Sequence, residues 1–309
     1  MEGGSKVKFL VLGATGMAGH TISLYLSECG HDVTTFSRTA FPYCVNINGD
    51  IMEPSLFRQI ISNNYDVIIN CIGILNSDCD KKPSRAVYVN SYLPHLLADR
   101  LKNSPTRLFH MSTDCVFSGK SAPYSENSLH DGETFYDRTK ALGEIADTKN
   151  LTFRNSIVGP DMRKDGIGLF NWFMKQKGII HGYAGAIWTG VTTLTLAKAM
   201  EQAARQEITG IYNLVNNTSI SKLNLLKLFN ETFKENEIKI SPNHSVHVDK
   251  TLLNNRKDFP FKVPSYKQMI TEMKEWITTH QHLYPHYFQG QGDGSCDSGF
   301  KRNIPFQGR

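Results

Sequence analysis

Near the N-terminus residues 8–15 read as a buried strand running into a turn, whose Gly13-Ala14-Thr15-Gly16-Met17-Ala18-Gly19 leads into a segment, 17–29, whose apolar residues recur at helical spacing. Three glycines at a strand-to-helix junction let the backbone turn sharply and leave helix N–H groups facing outward. That is how a pyrophosphate is held at a helix N-terminus. A chain that opens this way is constrained to alternate strands and helices around a parallel sheet.

The rest of the N-terminal half keeps that alternation. Residues 31–37 form a second strand, rich in β-branched and aromatic side chains, and 54–63 a short helix opening on Pro54. The third strand, 65–73, is an almost continuous apolar run through Val67, Ile68, Ile69, Cys71 and Ile72, as a strand covered on both faces requires. A long helix over 83–102 follows, with Pro94 as its expected kink. A strand at 107–111, a helix at 134–147 and a strand at 151–158 close the series. Beyond Gly159 the rhythm loosens into helices at 169–176, 193–205, 221–235 and 265–279 and strands at 211–215 and 238–241. The expected fold is α/β, a Rossmann-type doubly wound parallel sheet with a smaller C-terminal substrate lobe. We divide the chain into a nucleotide-binding domain (1–160), a mainly substrate-binding lobe (161–283) and a Gly-rich, aperiodic tail (284–309) expected to be disordered.

Composition narrows the class. A net charge of +5, with 40% hydrophobic and 20% charged residues, fits a globular enzyme and gives no reason to expect nucleic-acid binding. No segment reaches the ~18 consecutive apolar residues of a membrane span, and the first residues lack the apolar core of a signal peptide. The six cysteines include no CxxC pair, which suits a reducing compartment. A cytoplasmic protein without a membrane partner is expected, with a homodimer left open. No HExxH, no GxSxG elbow and no Walker-type loop is present, and no metal site is expected.

The end of the second strand bears on the nucleotide. An NAD enzyme usually places a carboxylate there for the ribose hydroxyls, whereas this strand ends Phe36-Ser37-Arg38. A hydroxyl beside a guanidinium suits a 2′-phosphate, so NADP(H) is favoured. The expected contacts are Gly13, Thr15, Gly16, Met17 and Ala18 at the pyrophosphate, Ser37 and Arg38 at the phosphate, and Asp50 and Ile51 at the adenine. Cys71, Ile72 and Gly73 would pass beneath the cofactor.

Tyr136 and Lys140 are four residues apart on a helix and share a face, and Tyr136 alone of the 12 tyrosines has Lys at that offset. An ammonium so placed is expected to lower the phenol's pKa and to position a ribose. Tyr136 would then protonate a carbonyl oxygen as hydride arrives, with the Thr113 hydroxyl orienting that oxygen.

These segments, with Ser112-Thr113-Asp114-Cys115-Val116-Phe117-Ser118-Gly119, Pro123-Tyr124-Ser125-Glu126 and Tyr136-Asp137-Arg138-Thr139-Lys140 followed by Gly143-Glu144, resemble the dTDP-4-dehydrorhamnose reductase family of extended short-chain dehydrogenases over about 6–279. The resemblance implies an NADPH-dependent 4-ketoreductase of a nucleotide-linked 4-dehydro-6-deoxyhexose, with Thr113, Tyr136 and Lys140 as catalytic triad. It also implies Asn155, in Arg154-Asn155-Ser156, beneath the substrate, Trp188 in a substrate-side loop, and Arg256 toward the diphosphate. Cys115 and Ile157 depart from the family's usual Tyr and Trp, which leaves open a UDP-linked N-acetylated sugar. Cys115 also leaves open a bifunctional epimerase–reductase, by similarity to GDP-fucose synthases. A dehydratase of this fold would carry Asp-Glu after the threonine, where this chain has Asp114-Cys115. A non-catalytic NADP-binding regulatory subunit, like the partner of methionine adenosyltransferase that shares the fold, is the remaining alternative.

Overall fold

The computed structural model describes residues 5–62 and 64–288. The chain runs through β1 (Lys8–Leu12), α1 (Met17–Glu28), β2 (Asp32–Ser37), β3 (Val45–Asn48), α2 (Pro54–Ser62) and β4 (Val67–Asn70). Short helices α3 (Ser77–Lys81) and α4 (Pro83–Ala86) lead through a π-helical stretch (Val87–Tyr92) into α5 (Leu93–Leu101), then β5 (Arg107–Met111) and α6 (Phe135–Ala141). The remainder comprises β6 (Leu151–Arg154), β7 (Ser156–Val158), α7 (Leu169–Met174), β8 (Ile179–Trp188), β9 (Gly190–Thr192), α8 (Thr193–Ala204), β10 (Gly210–Asn213), β11 (Ile220–Ser221), α9 (Lys222–Phe233), β12 (Lys239–Asp249), α10 (Tyr266–Thr279) and α11 (Pro285–Phe288).

Among the described residues, seven strands form one sheet in the order β10-β6-β5-β4-β1-β2-β3, with every pairing parallel. Strand order reverses between β1 and β4, and in open sheets of this kind the crevice at the strands' carboxyl ends beside that reversal takes the ligand. The doubly wound α/β fold read from the alternation is the fold found. Two apolar clusters cover the sheet. One centres on Phe9, Val11, Phe109, Phe153 and α8, the other on Leu10, Leu12, Ile68, Leu93 and Leu97. Adjacent residues of β1 and of β4 therefore point into opposite layers, as their unbroken apolar runs require. A smaller sheet, β11-β8-β12, and the pair β7-β9 stand at the carboxyl ends of the large sheet's strands.

Several boundaries differ from those expected, each for a physical reason. The strand expected at 151–158 is two strands, because β6 pairs with β5 and β10 whereas β7 pairs with β9. Asn155 is the joint between them. Strands β3, β8, β9 and β11 had no clear signal, and β12 extends far past 241 because β8 pairs with it down to Asp249. The helix expected over 134–147 ends at Ala141. Pro94 does not kink a continuous α-helix. The turn ahead of it widens into the π-helical stretch, which accommodates the ring and the missing N–H. Tyr284, the first residue of the expected disordered tail, is fully buried, where its hydroxyl meets His20 and Trp276, and α11 follows it. The rest of that tail, 289–309, lies outside the described residues, as does Cys296. Among the described residues no helix is long and apolar enough to cross a membrane.

The π-helical stretch places Asn90 where its amide donates to the Ile74 carbonyl (2.9 Å) and the Thr139 hydroxyl (3.2 Å) and accepts from the Ile74 N–H (2.9 Å). It thereby ties the segment after β4 to α6. The contact depends on Gly143, since a Cβ there would run into the Asn90 carbonyl oxygen and Cα of Ser91 lies close behind. Gly143→Ala is expected to destabilise the fold by about 1–3 kcal/mol, the usual cost of overpacking. Urea unfolding against the parent chain measures it.

Candidate active site

One cleft of about 420 Å³ runs along the carboxyl ends of β1, β2, β4, β5 and β6. All of the expected cofactor residues line it: Gly13, Thr15, Gly16, Met17, Ala18, Ser37, Arg38, Asp50, Ile51, Cys71, Ile72 and Gly73. The glycine turn is held by Gly13 N–H donating to the Phe36 carbonyl (2.8 Å) and Gly16 N–H to the Gly13 carbonyl (3.0 Å). Gly19 lets α1 close against that turn, for a Cβ there would overlap the Gly13 carbonyl. Helix α1 starts with no side-chain cap and no acidic residue in its first turn. Its N–H groups thus face the cleft without a competing anion, which fits a pyrophosphate.

At the ribose end Arg38 is exposed and no carboxylate ends β2, which fits a 2′-phosphate. The Ser37 hydroxyl behaves differently from the expectation. It is buried and donates to the Thr39 carbonyl (2.7 Å) and toward Asn46 Oδ1 (3.0 Å), so it shapes the turn and keeps no proton for a phosphate. Asp50 is bound by Arg85 at 2.5 Å, a second cleft guanidinium whose place on α4 gave no sign in the sequence.

Deeper in the cleft the segment after β5 and helix α6 meet. Thr113 Oγ1 accepts from Cys115 N–H (3.2 Å), donates to Asp114 Oδ1 (3.1 Å), and hydrogen-bonds the Tyr136 phenol. Helix α6 is anchored by a reciprocal capping box between Thr134 and Asp137, which fixes the rotation that presents Tyr136 and Lys140 on one buried face. Lys140 Nζ donates to the Met111 carbonyl at 2.7 Å. The structure brings Thr113, Tyr136 and Lys140 together. It does not bear out the expected lowering of the phenol's pKa: burial pushes Tyr136 well above the ordinary tyrosine value, and the neighbouring Cys115 adds to the rise. Burial lowers Lys140 to about 8 even though Glu144 pulls the other way.

Asn155 lines the cleft at the joint between β6 and β7, almost fully buried, and neither its amide nitrogen nor its oxygen has a hydrogen-bond partner. Buried amides are rarely left so, which makes Asn155 a candidate contact for a ligand. Cys115 and Trp188 line the same region, with Trp188 Nε1 donating to Ser156 Oγ (2.8 Å). Burial pushes the Cys115 thiol up to about 12, with Asp114 adding to it, so it rests protonated. Arg256 lies elsewhere. It donates to the Thr209 (2.6 Å) and Ile211 (2.9 Å) carbonyls and pairs with Asp258, bracing the edge of the sheet at β10 away from the cleft. Lys222 and Lys250, which do line the cleft, were not anticipated.

Beneath this region lies a buried ion pair. Arg154, at the end of β6 and fully buried, gives Nε (2.9 Å) and Nη2 (2.6 Å) to the Glu144 carboxylate, which also accepts from Ser112 Oγ (2.5 Å) and sits 2.8 Å from His130 Nε2. Burial raises the Glu144 pKa, but the Arg154, His130 and Ser112 hydrogen bonds and the Arg154 charge outweigh it and hold it at about 2.

The family model described as "RmlD substrate binding domain" matches residues 7–253. A dTDP-4-dehydrorhamnose reductase of Mycolicibacterium smegmatis is 30% identical over 142 residues, covering 45% of this chain and 41% of the relative. The methionine adenosyltransferase 2 subunit beta of Xenopus tropicalis is 27% identical over 146 residues, covering 44% and 41%. The chain spans about half the length of the curated relatives it matches. A crystal structure of dTDP-4-dehydrorhamnose reductase from Bacillus anthracis in complex with NADP superposes with a TM-score of 0.74 at 19% identity, covering 89% of this chain and all of that one.

Because the Glu144 pKa is lowered in the folded chain, the pair stabilises the fold above the unfolded carboxylate's range, and that stability is lost as pH falls through about 4.5 toward 2. Glu144→Gln is expected to cost about 3–5 kcal/mol near neutral pH, since it strands the Arg154 charge. Adding Arg154→Met should recover part of the loss. Denaturant unfolding of the three variants across pH measures both effects.

Proposed function

The chain belongs to the family of the RmlD substrate binding domain, and from that we propose that it is an NADPH-dependent ketoreductase acting on a nucleotide-linked 4-dehydro-6-deoxyhexose in the cytoplasm, with residues 161–283 contributing most of the substrate's surroundings. One observation carries the reading: a single cleft holds both the glycine turn under an uncapped helix and the buried Thr113, Tyr136 and Lys140 set. Bound NADPH supplies a hydride to the ketone carbon. Gly13–Gly19 would hold its pyrophosphate, Arg38 its 2′-phosphate, and Lys140 its ribose hydroxyls.

The chain's own residues manage the proton. Tyr136, kept protonated by burial, donates to the ketone oxygen as negative charge develops there, and the Thr113 hydroxyl orients that oxygen. Lys140, fixed through the Met111 carbonyl, places positive charge where the departing proton leaves a phenolate. The unpaired Asn155 amide would offer its N–H groups as donors and its oxygen as acceptor to the sugar. The protonated resting state of Cys115 favours a plain reductase over an epimerase–reductase, in which that thiol would serve as base. The likeness to a methionine adenosyltransferase subunit keeps a regulatory reading in view. Retention of the full Thr113, Tyr136 and Lys140 set favours the enzyme.

NADPH oxidation against dTDP-, UDP- and GDP-linked 4-keto-6-deoxysugars tests the reading, and no turnover with any of them would sink it. Tyr136→Phe should fold normally and lose at least about 10²-fold in turnover, the worth of a positioned acid. Arg38→Ala should weaken NADPH by about 1.5–3 kcal/mol while barely affecting NADH. Equal losses for the two cofactors in a fluorescence titration would remove Arg38 from the phosphate.

A further inference from the structure

Two cleft cations have no part in the chemistry above. Lys222 is the first residue of α9, directly after β11, and Lys250 follows the last residue of β12. In the small sheet Ser221 and Asp249 are the register partners of Ile187 from its two sides. The lysines therefore leave neighbouring strand ends that flank Ile187 and Trp188, two strand spacings or roughly 10 Å apart at the backbone. Both side chains line the cleft beside Thr113, Asp114 and Cys115. Their electrostatic neighbours agree, since each senses Asp114 and Cys115, and Lys222 senses Lys250.

The charge balance there is uneven. Arg85 is paired with Asp50, Arg163 with Asp161, and Lys140 is held by a carbonyl. Lys222 and Lys250 both sense Asp114, a carboxyl whose pKa burial pushes up and which already accepts from Thr113, and Lys250 also senses Asp137. The surrounding wall is apolar, formed by Ile157, Ile187, Trp188 and Val248. Over the whole lining Arg38, Arg85, Lys140, Arg163, Lys222 and Lys250 stand against Asp50, Asp114 and Asp161, a net positive field that favours an anionic ligand. Ammonium groups on flexible stems act as point charges and suit phosphate oxygens, which do not demand a planar fork. The cofactor's own pyrophosphate would lie at the uncapped start of α1.

We propose that Lys222 and Lys250 form the subsite for the diphosphate of a nucleotide-linked substrate, which places the sugar between them and Thr113. This rests on reading the cleft as a sugar-nucleotide site. It also replaces Arg256, which lies outside the cleft, as the source of the diphosphate contact.

The test is calorimetric titration of the NADP⁺-saturated protein with dTDP, UDP, thymidine, uridine, UDP-glucose and UDP-glucuronate. A diphosphate should bind at least about tenfold more tightly than its nucleoside. Lys222→Met and Lys250→Met should each erase about tenfold or more of that advantage, as charged hydrogen bonds do, leaving nucleoside and NADP⁺ binding unchanged. Lys→Arg at either position should retain most of it. If a Met variant no longer binds NADP⁺, the Lys→Gln variant is used in its place. Unchanged diphosphate affinity in both variants overturns the proposal, as does a parent chain that does not prefer diphosphates. Loss confined to the margin of UDP-glucuronate over UDP-glucose also overturns it, by assigning the lysines to a sugar carboxylate. NADPH oxidation is measured separately. A chain that turns over ketosugars with unaltered variants fails this inference alone, and one that binds diphosphates through the lysines without turnover fails only the proposed activity.

Discussion

The Glu144–Arg154 pair is the constraint on which the rest of the cleft depends. It is a salt bridge in the interior, where neither charge can be hydrated, so each fixes the position of the other. Around it the chain arranges four otherwise separate pieces. Ser112 brings the end of β5, Arg154 carries the end of β6, Asn213 on β10 approaches the same guanidinium, and His130 brings in the long segment before α6. Arg154 also lies over the Phe117 ring, 5.0 Å from its centre, which packs the segment carrying Thr113 down onto the pair. Well-packed hydrophobic residues in place of both partners often match a buried ion pair in stability, but they do not specify four directions at once. The hydrogen-bonding valences of one carboxylate and one guanidinium do specify them.

A second frame sits on the other side of α6. Asn90 in the π-helical stretch and Ser91, whose hydroxyl donates to the Thr139 carbonyl at 2.7 Å, hold that helix from behind. Residues 276–287 brace the glycine-turn end of the cleft in the same manner. His20, on α1, is bonded to the Gly16 carbonyl (2.9 Å) and to the Tyr284 hydroxyl (2.8 Å), which also accepts from Trp276 Nε1 (3.1 Å). The glycine turn is thus backed by residues from the far end of the chain, and Tyr287 accepts from Asp161 N–H at the cleft wall (2.9 Å).

Burial gives the site its chemical sign. It drives Tyr136, Cys115 and Cys71 toward their protonated, neutral forms and weakens the proton affinity of Lys140. Such groups rest in the protonated form, as weak acids available to donate rather than as bases, which suits the proposed reduction of a ketone. Tyr136 sits among thiols and the Asp114 carboxyl, whose own pKa burial raises, and its pKa reflects their company more than the single lysine four residues away.

The sequence by itself determined the local and periodic features. The glycine turn, the buried parallel strands, the Tyr136/Lys140 face and the residues that line the cleft around the glycine turn follow from spacing and side-chain type over short stretches, and the chain order of strands and helices then limits the sheet to a few arrangements. Tertiary structure alone decided what depends on partners distant in the chain. Ser37 was legible as a hydroxyl at the right place, but Asn46 on a neighbouring strand occupies it. Arg256 looked available until the carbonyls beside β10 claimed it. Lys222 and Lys250 are ordinary lysines in the sequence, and only the register of β11 and β12 on either side of β8 turns both into one cleft. The pKa values belong to this second class, because desolvation is set by everything packed around a group and no spacing within a helix encodes it.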